Sequence, residues 1–228
     1  MDYKEFYKNG IIDLDFQSEK INELLFDILN NNVKLNFSLC SKYNKTFDLR
    51  PNVIEYDQIF LKALKDNMIK EKISYITQRD LTLYHIQVRV VEDEKSYMSW
   101  HRDTYYTPNG LSGKEPHGVK MIYYPKFSMD NEERLLYLLG SNRILFPINS
   151  FDNQLFNILK VKKVYSSNEK SVLFDVNGLH AVVPEEKNNK SIRLIYSFLN
   201  KQQLIDDHQV NNDIHIKTME MYEELYSL

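Results

Sequence analysis

A chain of 228 residues, 43% hydrophobic and 27% charged, has a globular mixture and enough length to bury a core without disulfides or a structural metal. Its 29 Lys+Arg against 32 Asp+Glu give a formal net charge of -3, which excludes the basic excess of a general binder of nucleic acid or anionic membranes. A single cysteine, Cys40, excludes an intramolecular disulfide, and no apolar run has signal-peptide or membrane-spanning form, so a soluble, cytoplasmic protein is expected.

The first clear element is a helix over residues 18–32. Ile21, Leu24, Leu25, Ile28 and Leu29 recur at helical spacing, and Ser18 stands where it can cap the start. A second helix is expected from about Asp57 to Lys70, with Ile59, Phe60, Ala63, Leu64 and Met68 as its apolar stripe. After Leu81 the texture becomes that of strands. Leu81 to Val91 alternates, placing Tyr84, Ile86, Val88 and Val90 on one face and His85, Gln87 and Arg89 on the other. Further strands are expected at Val119–Tyr124, Ile144–Ile148, Val161–Tyr165, Ser171–Phe174 and Ile192–Leu199. Turn signals separate them at Pro108-Asn109-Gly110, Gly113, Gly140-Ser141-Asn142 and Asn177-Gly178. A terminal helix closes the chain from about Ile214 to Leu228. Many short strands without alternating helices predict antiparallel sheets in a barrel or sandwich. The chain is read as one domain over 1–228: a helical part at 1–75, a β core at 80–200 and an extension at 201–228.

Chemistry concentrates in two segments. In Trp100-His101-Arg102-Asp103, residues i and i+2 of a strand share a face, so His101 and Asp103 can converge on one metal ion. Alone, that spacing is a common coincidence, and a hydrogen-bonded histidine at a strand end explains it equally. The second segment runs from Ser171 to Leu199: an apolar strand, the Asn177-Gly178 turn, His180, a polar hairpin, and a return strand carrying Arg193 among Ile192, Leu194 and Ile195. An arginine within an apolar strand is costly to bury unless it meets an anion, and its planar fork suits a carboxylate. Two histidines and a carboxylate on one face of a metal leave the opposite positions open, the arrangement of non-haem iron oxygenases.

With these pieces the sequence resembles the iron(II)/2-oxoglutarate dioxygenases, in particular the phytanoyl-CoA and ectoine hydroxylase branch. The matching residues are Gln87-Val88-Arg89, Trp100-His101-Arg102-Asp103, Leu139-Gly140-Ser141-Asn142-Arg143, Leu173-Phe174-Asp175, His180 and Arg193, in that order. The resemblance implies a mainly β protein with flanking helices, built on a double-stranded β-helix (a jelly roll, cupin-like core). It implies iron(II) on His101, Asp103 and His180, with 2-oxoglutarate as cosubstrate and Arg193 on its far carboxylate. The implied reaction hydroxylates a small molecule with O2 while 2-oxoglutarate is oxidatively decarboxylated to succinate and CO2.

Gln87 is a further candidate for cosubstrate or substrate contact. Members of the branch often carry a small hydroxyl residue two places after the distal histidine. Here that place is Val182, so Ser191 or a barrel tyrosine such as Tyr123 is the candidate substitute. Tyr105 and Tyr106 are candidate walls of the pocket, and Trp100 a packing support for His101. Two other readings share the ligand set: a cupin-like barrel that binds a metal or ligand without catalysis, and a zinc hydrolase. The buried arginine counts against the first. The lack of a paired glutamate base on a helix counts against the second.

Overall fold

The computed structural model describes residues 3–30, 37–39, 45–49, 57–92, 98–103, 118–125, 133–144, 156–165, 170–184, 191–201 and 213–227. The helical elements are α1 (Tyr3–Asn9), α2 (Glu19–Leu29), α3 (Ile59–Asp66), α4 (Ile69–Thr77) and α5 (Asp213–Ser227). The strands are β1 (Ile11–Leu14), β2 (Phe37–Leu39), β3 (Lys45–Leu49), β4 (Thr82–Glu92), β5 (Met98–His101), β6 (Gly118–Tyr123), β7 (Glu133–Leu138), β8 (Val161–Tyr165), β9 (Ser171–Asp175), β10 (His180–Pro184) and β11 (Ser191–Leu199).

These strands form a seven-stranded sheet, β1-β9-β6-β11-β4-β3-β2, and a four-stranded sheet, β5-β10-β7-β8, with every pairing antiparallel. The two sheets face each other across one core. Ile11, Ile122, Val172, Phe174 and Ile195 from the large sheet pack against Leu135, Tyr137, Val164 and Val182 from the small one. This is the jelly-roll, double-stranded β-helix architecture expected from the sequence. The other face of the large sheet carries Ile86, Val88, Val90, Leu173, Leu194, Tyr196 and Phe198, covered by the helices through Leu25, Phe60, Leu64, Ile73 and Tyr222. With apolar residues on both faces, the central strands are buried on two sides, and the helix layer is what makes that affordable.

Local chemistry explains the helix ends. Ser18 Oγ accepts the Ile21 N–H at 3.3 Å, so the expected N-cap is made. The single helix expected over 57–70 is instead two, broken at Asn67 and Met68. Met68 takes a left-handed backbone (φ 50°) and is 60% exposed, so it leaves the apolar stripe that Phe60, Ala63 and Leu64 bury. Asn67 fastens the break, its side-chain N–H donating to Ala63 O at 2.9 Å and to Gln17 O at 3.1 Å.

The β4 face assignment also changes at one end. Ser197 pairs with His85 but Phe198 pairs with Leu83, so Tyr84 is the extra residue of a bulge. Leu83 therefore takes the core position expected for Tyr84, while Ile86, Val88 and Val90 keep theirs. Of the strand expected at Ile144–Ile148, Ile144 ends a 3₁₀ turn and the remainder lies outside the described residues. No helix among the described residues is long and apolar enough to cross a membrane.

Candidate metal centre

β5 and β10 are neighbours in the small sheet, and His101 and His180 are direct cross-strand partners. Alternation turns both imidazoles to the inner face, with Val182. Trp100, one residue before His101, turns outward and packs edge-on against Phe156 at 4.8 Å. Asp103 lies two residues beyond His101, past the end of the ladder, with its backbone N–H held by Val176 O at 3.0 Å.

The three side chains converge. His101 Nε2 lies 3.4 Å from Asp103 Oδ1, and His180 Nε2 lies 3.3 Å from Asp103 Oδ2. The two imidazole centroids are 4.3 Å apart. One ligand atom from each residue falls within 4.8 Å of the others, the only such group among the described residues. Ligands bonded to one ion at about 2.1 Å and at right angles stand about 3 Å apart, so the donors are close to the spacing a facial site requires. His180 Nδ1 is 3.0 Å from Gly178 O, a partner that can keep a proton on Nδ1 when Nε2 serves as a metal donor. Phe174 (5.0 Å) and Tyr137 (6.5 Å, stacked at 15°) hold the His180 ring in place. His180 is 4% exposed, against 28% for His101 and 21% for Asp103, so the site opens on the side of β5.

Electrostatics favour the charged carboxylate. Burial raises the Asp103 pKa, but the Lys120 ammonium and hydrogen bonds from His101 and His180 outweigh it and hold the group well below its ordinary value. Lys120 Nζ sits 2.8 Å from Asp103 Oδ2.

Buried polar contacts fix the segments behind the site. Arg102 Nη1 donates to Ser141 O at 2.8 Å and also to Asn177 O. Ser141 Oγ donates to Leu138 O at 2.6 Å and accepts the Leu179 N–H at 2.8 Å. Asp175 accepts the Asn177 N–H at 2.9 Å and a weaker bond from Asn142 Nδ2 at 3.4 Å. Burial pushes the Asp175 carboxyl up to about 7, opposed in part by those hydrogen bonds and by Arg79 and Arg102. Between them, Arg102, Ser141 and Asp175 tie the end of β5, the 3₁₀ turn and the turn before His180 into one support.

The remaining sequence candidates fall into two groups. Arg193 is 2% exposed and directly opposite Arg89; Gln87 is 5% exposed and opposite Ile195. Both share the inner face with Ile195, the face that looks toward His180. Tyr123 does not. It packs on the helix side of the large sheet, and its hydroxyl donates to Asn22 at 2.7 Å, which removes it from the site. Tyr124 is the inner tyrosine, buried with Ile122 and Ile195. Ser191 begins β11 opposite Val91, and its side chain lies outside the described residues, as do Cys40, Tyr105 and Tyr106. Sequence reasoning missed Lys120 and Tyr124. A lysine inside the apolar run Val119–Tyr124 was a signal of the same kind as Arg193.

The sequence matches no family model and no curated protein. The fold does match solved structures. The non-heme alpha ketoglutarate dependent epimerase SnoN from nogalamycin biosynthesis aligns with a TM-score of 0.64 at 9% identity, over 87% of this chain and 79% of that one. EctD from S. alaskensis with bound Fe aligns at 0.62 and 13% identity, over 86% and 75%. HygX from Streptomyces hygroscopicus with nickel and 2-oxoglutarate bound aligns at 0.59 and 11%, over 88% of both chains. At such identities the likeness establishes a shared fold.

Proposed function

We propose that this chain is an iron(II)- and 2-oxoglutarate-dependent oxygenase that hydroxylates a small molecule. The observation that carries the reading is the convergence of His101, Asp103 and His180 at the barrel mouth, with Arg193 buried on the facing inner sheet. Bound iron with 2-oxoglutarate and O2 supplies the oxidising chemistry, releasing succinate and CO2 as the substrate is oxidised.

The protein's residues do the rest. His101, Asp103 and His180 would hold the ion through three donors and leave its other positions to cosubstrate and oxygen. Arg193 grips the far carboxylate of the cosubstrate through its planar fork, inside an apolar strand where no water competes. Ser191, two residues earlier on the same strand, is our candidate for a second contact to that carboxylate, and Gln87 for a polar contact from β4. Ile122, Tyr124 and Ile195, buried on the same inner face as Arg193, keep its surroundings apolar. A site enclosed between two facing sheets suits a small molecule better than an extended polymer. SnoN and HygX are known in complex with nogalamycin RO and hygromycin B, which are small molecules. SnoN, on the same fold, is an epimerase, so product analysis decides the outcome at the substrate carbon.

Anaerobic titration of metal-free protein with iron(II) and 2-oxoglutarate tests the reading. The visible charge-transfer band of the chelate should form in the parent and vanish in His180→Ala. A folded, iron-loaded parent that gives no band would move the non-catalytic barrel to first place.

A further inference from the structure

Asp103 is the least supported of the three candidate ligands. His101 and His180 are fixed by their ladder, whereas Asp103 lies beyond the last paired residue of β5, the edge strand of the small sheet. Among the described residues its backbone has one anchor, Val176 O, and its carboxylate meets a residue from the other sheet. That residue is Lys120, in β6, whose Nζ is 2.8 Å from Oδ2. β6 lies inside the large sheet, with Phe174 of β9 on one side of Lys120 and Ser197 of β11 on the other. Phe174 in turn packs on His180. Lys120 thus rises from a rigid position and bridges the two sheets at the metal-binding end. It is 25% exposed, so the ion pair is only partly screened.

A carboxylate can bind a metal through one oxygen or two. The difference matters on a six-coordinate ion. Two histidines and a two-oxygen carboxylate leave two positions, both consumed by a chelating cosubstrate. A one-oxygen carboxylate leaves three, so one stays open after the chelate forms.

Resting on the functional reading above, we propose that Lys120 is a positioning residue that makes Asp103 a one-oxygen ligand. The ammonium, 2.8 Å from Oδ2 and nearer to it than His180 Nε2 at 3.3 Å, holds that oxygen, and Oδ1, 3.4 Å from His101 Nε2, is left to the metal. Partners of this kind orient ligating groups, and losing one typically costs 10–100-fold in metal affinity.

The test uses cobalt(II) as a spectroscopic probe in the full chain, so it needs no turnover. Lys120→Met keeps the stem and removes the ammonium. It should weaken cobalt binding about 10–100-fold and change the visible cobalt spectrum as the freed oxygen moves onto the metal. Lys120→Arg, which can still donate to Oδ2, should recover most of both. Parent-like affinity and spectrum in Lys120→Met would overturn the proposal. So would tighter binding, which would mark Lys120 as a competing cation, or an equal loss in both variants with no spectral change, which would mark ordinary packing. A structure of the cobalt-loaded parent checks the same point without any variant. One oxygen on the metal and the other on Lys120 supports it; both oxygens on the metal, or Lys120 turned away, refutes it. A parent that binds no cobalt sinks the functional reading itself, which separates the two failures.

Discussion

Replacing Asp175 with asparagine should make the protein more stable at pH 8 and leave it nearly unchanged at pH 4.5. Asp175 is 1% exposed, and the groups facing it are Asn142, Asn177, Tyr137, Arg79 and Arg102. Burial raises its carboxyl from the ordinary 3.8 to about 7, beyond what the hydrogen bonds and the two arginines offset. Between those values the folded chain binds more protons than the unfolded one, so its contribution to stability falls as pH rises from about 4 to about 7. A rise of roughly 3, at about 1.4 kcal/mol for each tenfold, amounts to about 4 kcal/mol. Asparagine keeps an acceptor for the Asn177 N–H and loses the long bond from Asn142, a loss of about 1 kcal/mol. Asp175→Asn should therefore exceed the parent by about 3 kcal/mol at pH 8 and match it within about 1 kcal/mol at pH 4.5. Urea unfolding of both proteins at several pH values gives the difference, in which every other titrating group cancels to first order. A difference that stays flat with pH, or a variant weaker at pH 8, would mean that the arginines keep Asp175 charged and refute the argument.

Arg193→Ala should weaken 2-oxoglutarate binding by about 2–5 kcal/mol, the loss expected for a buried charge partner, while iron affinity changes little. Equal loss of iron in Arg193→Ala and His180→Ala, in the same titration, would contradict the separate roles. Gly178→Ala should be poorly tolerated, because a Cβ there would overlap the Tyr137 ring beside His180. An unfolding free energy in urea lowered by about 1–3 kcal/mol, with weaker cobalt binding, is expected, since Gly178 O also holds His180 Nδ1. Ser18→Ala should cost about 1 kcal/mol through loss of the helix cap and leave metal binding untouched.

Where one principle governed an element, the sequence was readable. The α2 cap and stripe follow from helical spacing and most of β4 from two-residue alternation, while β6, β8, β9 and β11 were legible as short strand-like runs between turn signals. The i, i+2 spacing of His101 and Asp103 anticipated that their side chains converge, although Asp103 lies past the end of β5 and is held by its N–H bond to Val176 O rather than by strand pairing. The misses have separate causes. β1 has four residues, too few to show a period. β7 begins in the charged run Glu132-Glu133-Arg134, which masks Leu135–Leu138. The break at Met68 and the Tyr84 bulge are tertiary events, fixed by Asn67 reaching Gln17 and by the pairing of β4 with β11.

Tyr123 illustrates a different limit. Val119, Met121 and Tyr123 are buried against the helices, and Ile122 and Tyr124 are buried against the small sheet. A strand with apolar residues on both faces gives periodicity nothing to separate. The charged residue breaks that symmetry. An ammonium survives in such a strand only where it meets an anion or water, and the helix-side core offers neither, whereas the inner face holds Asp103. Lys120 therefore marks the inner face, and two-residue alternation then assigns Ile122 and Tyr124 to it and Tyr123 to the other. The same logic places Ile195 beside Arg193 on β11 and agrees with the observed packing. In a two-sided buried strand, a lone cation reports which face meets an anion or water. Here the two cations so marked, Lys120 and Arg193, divide the inner wall between the metal's carboxylate and the proposed cosubstrate's.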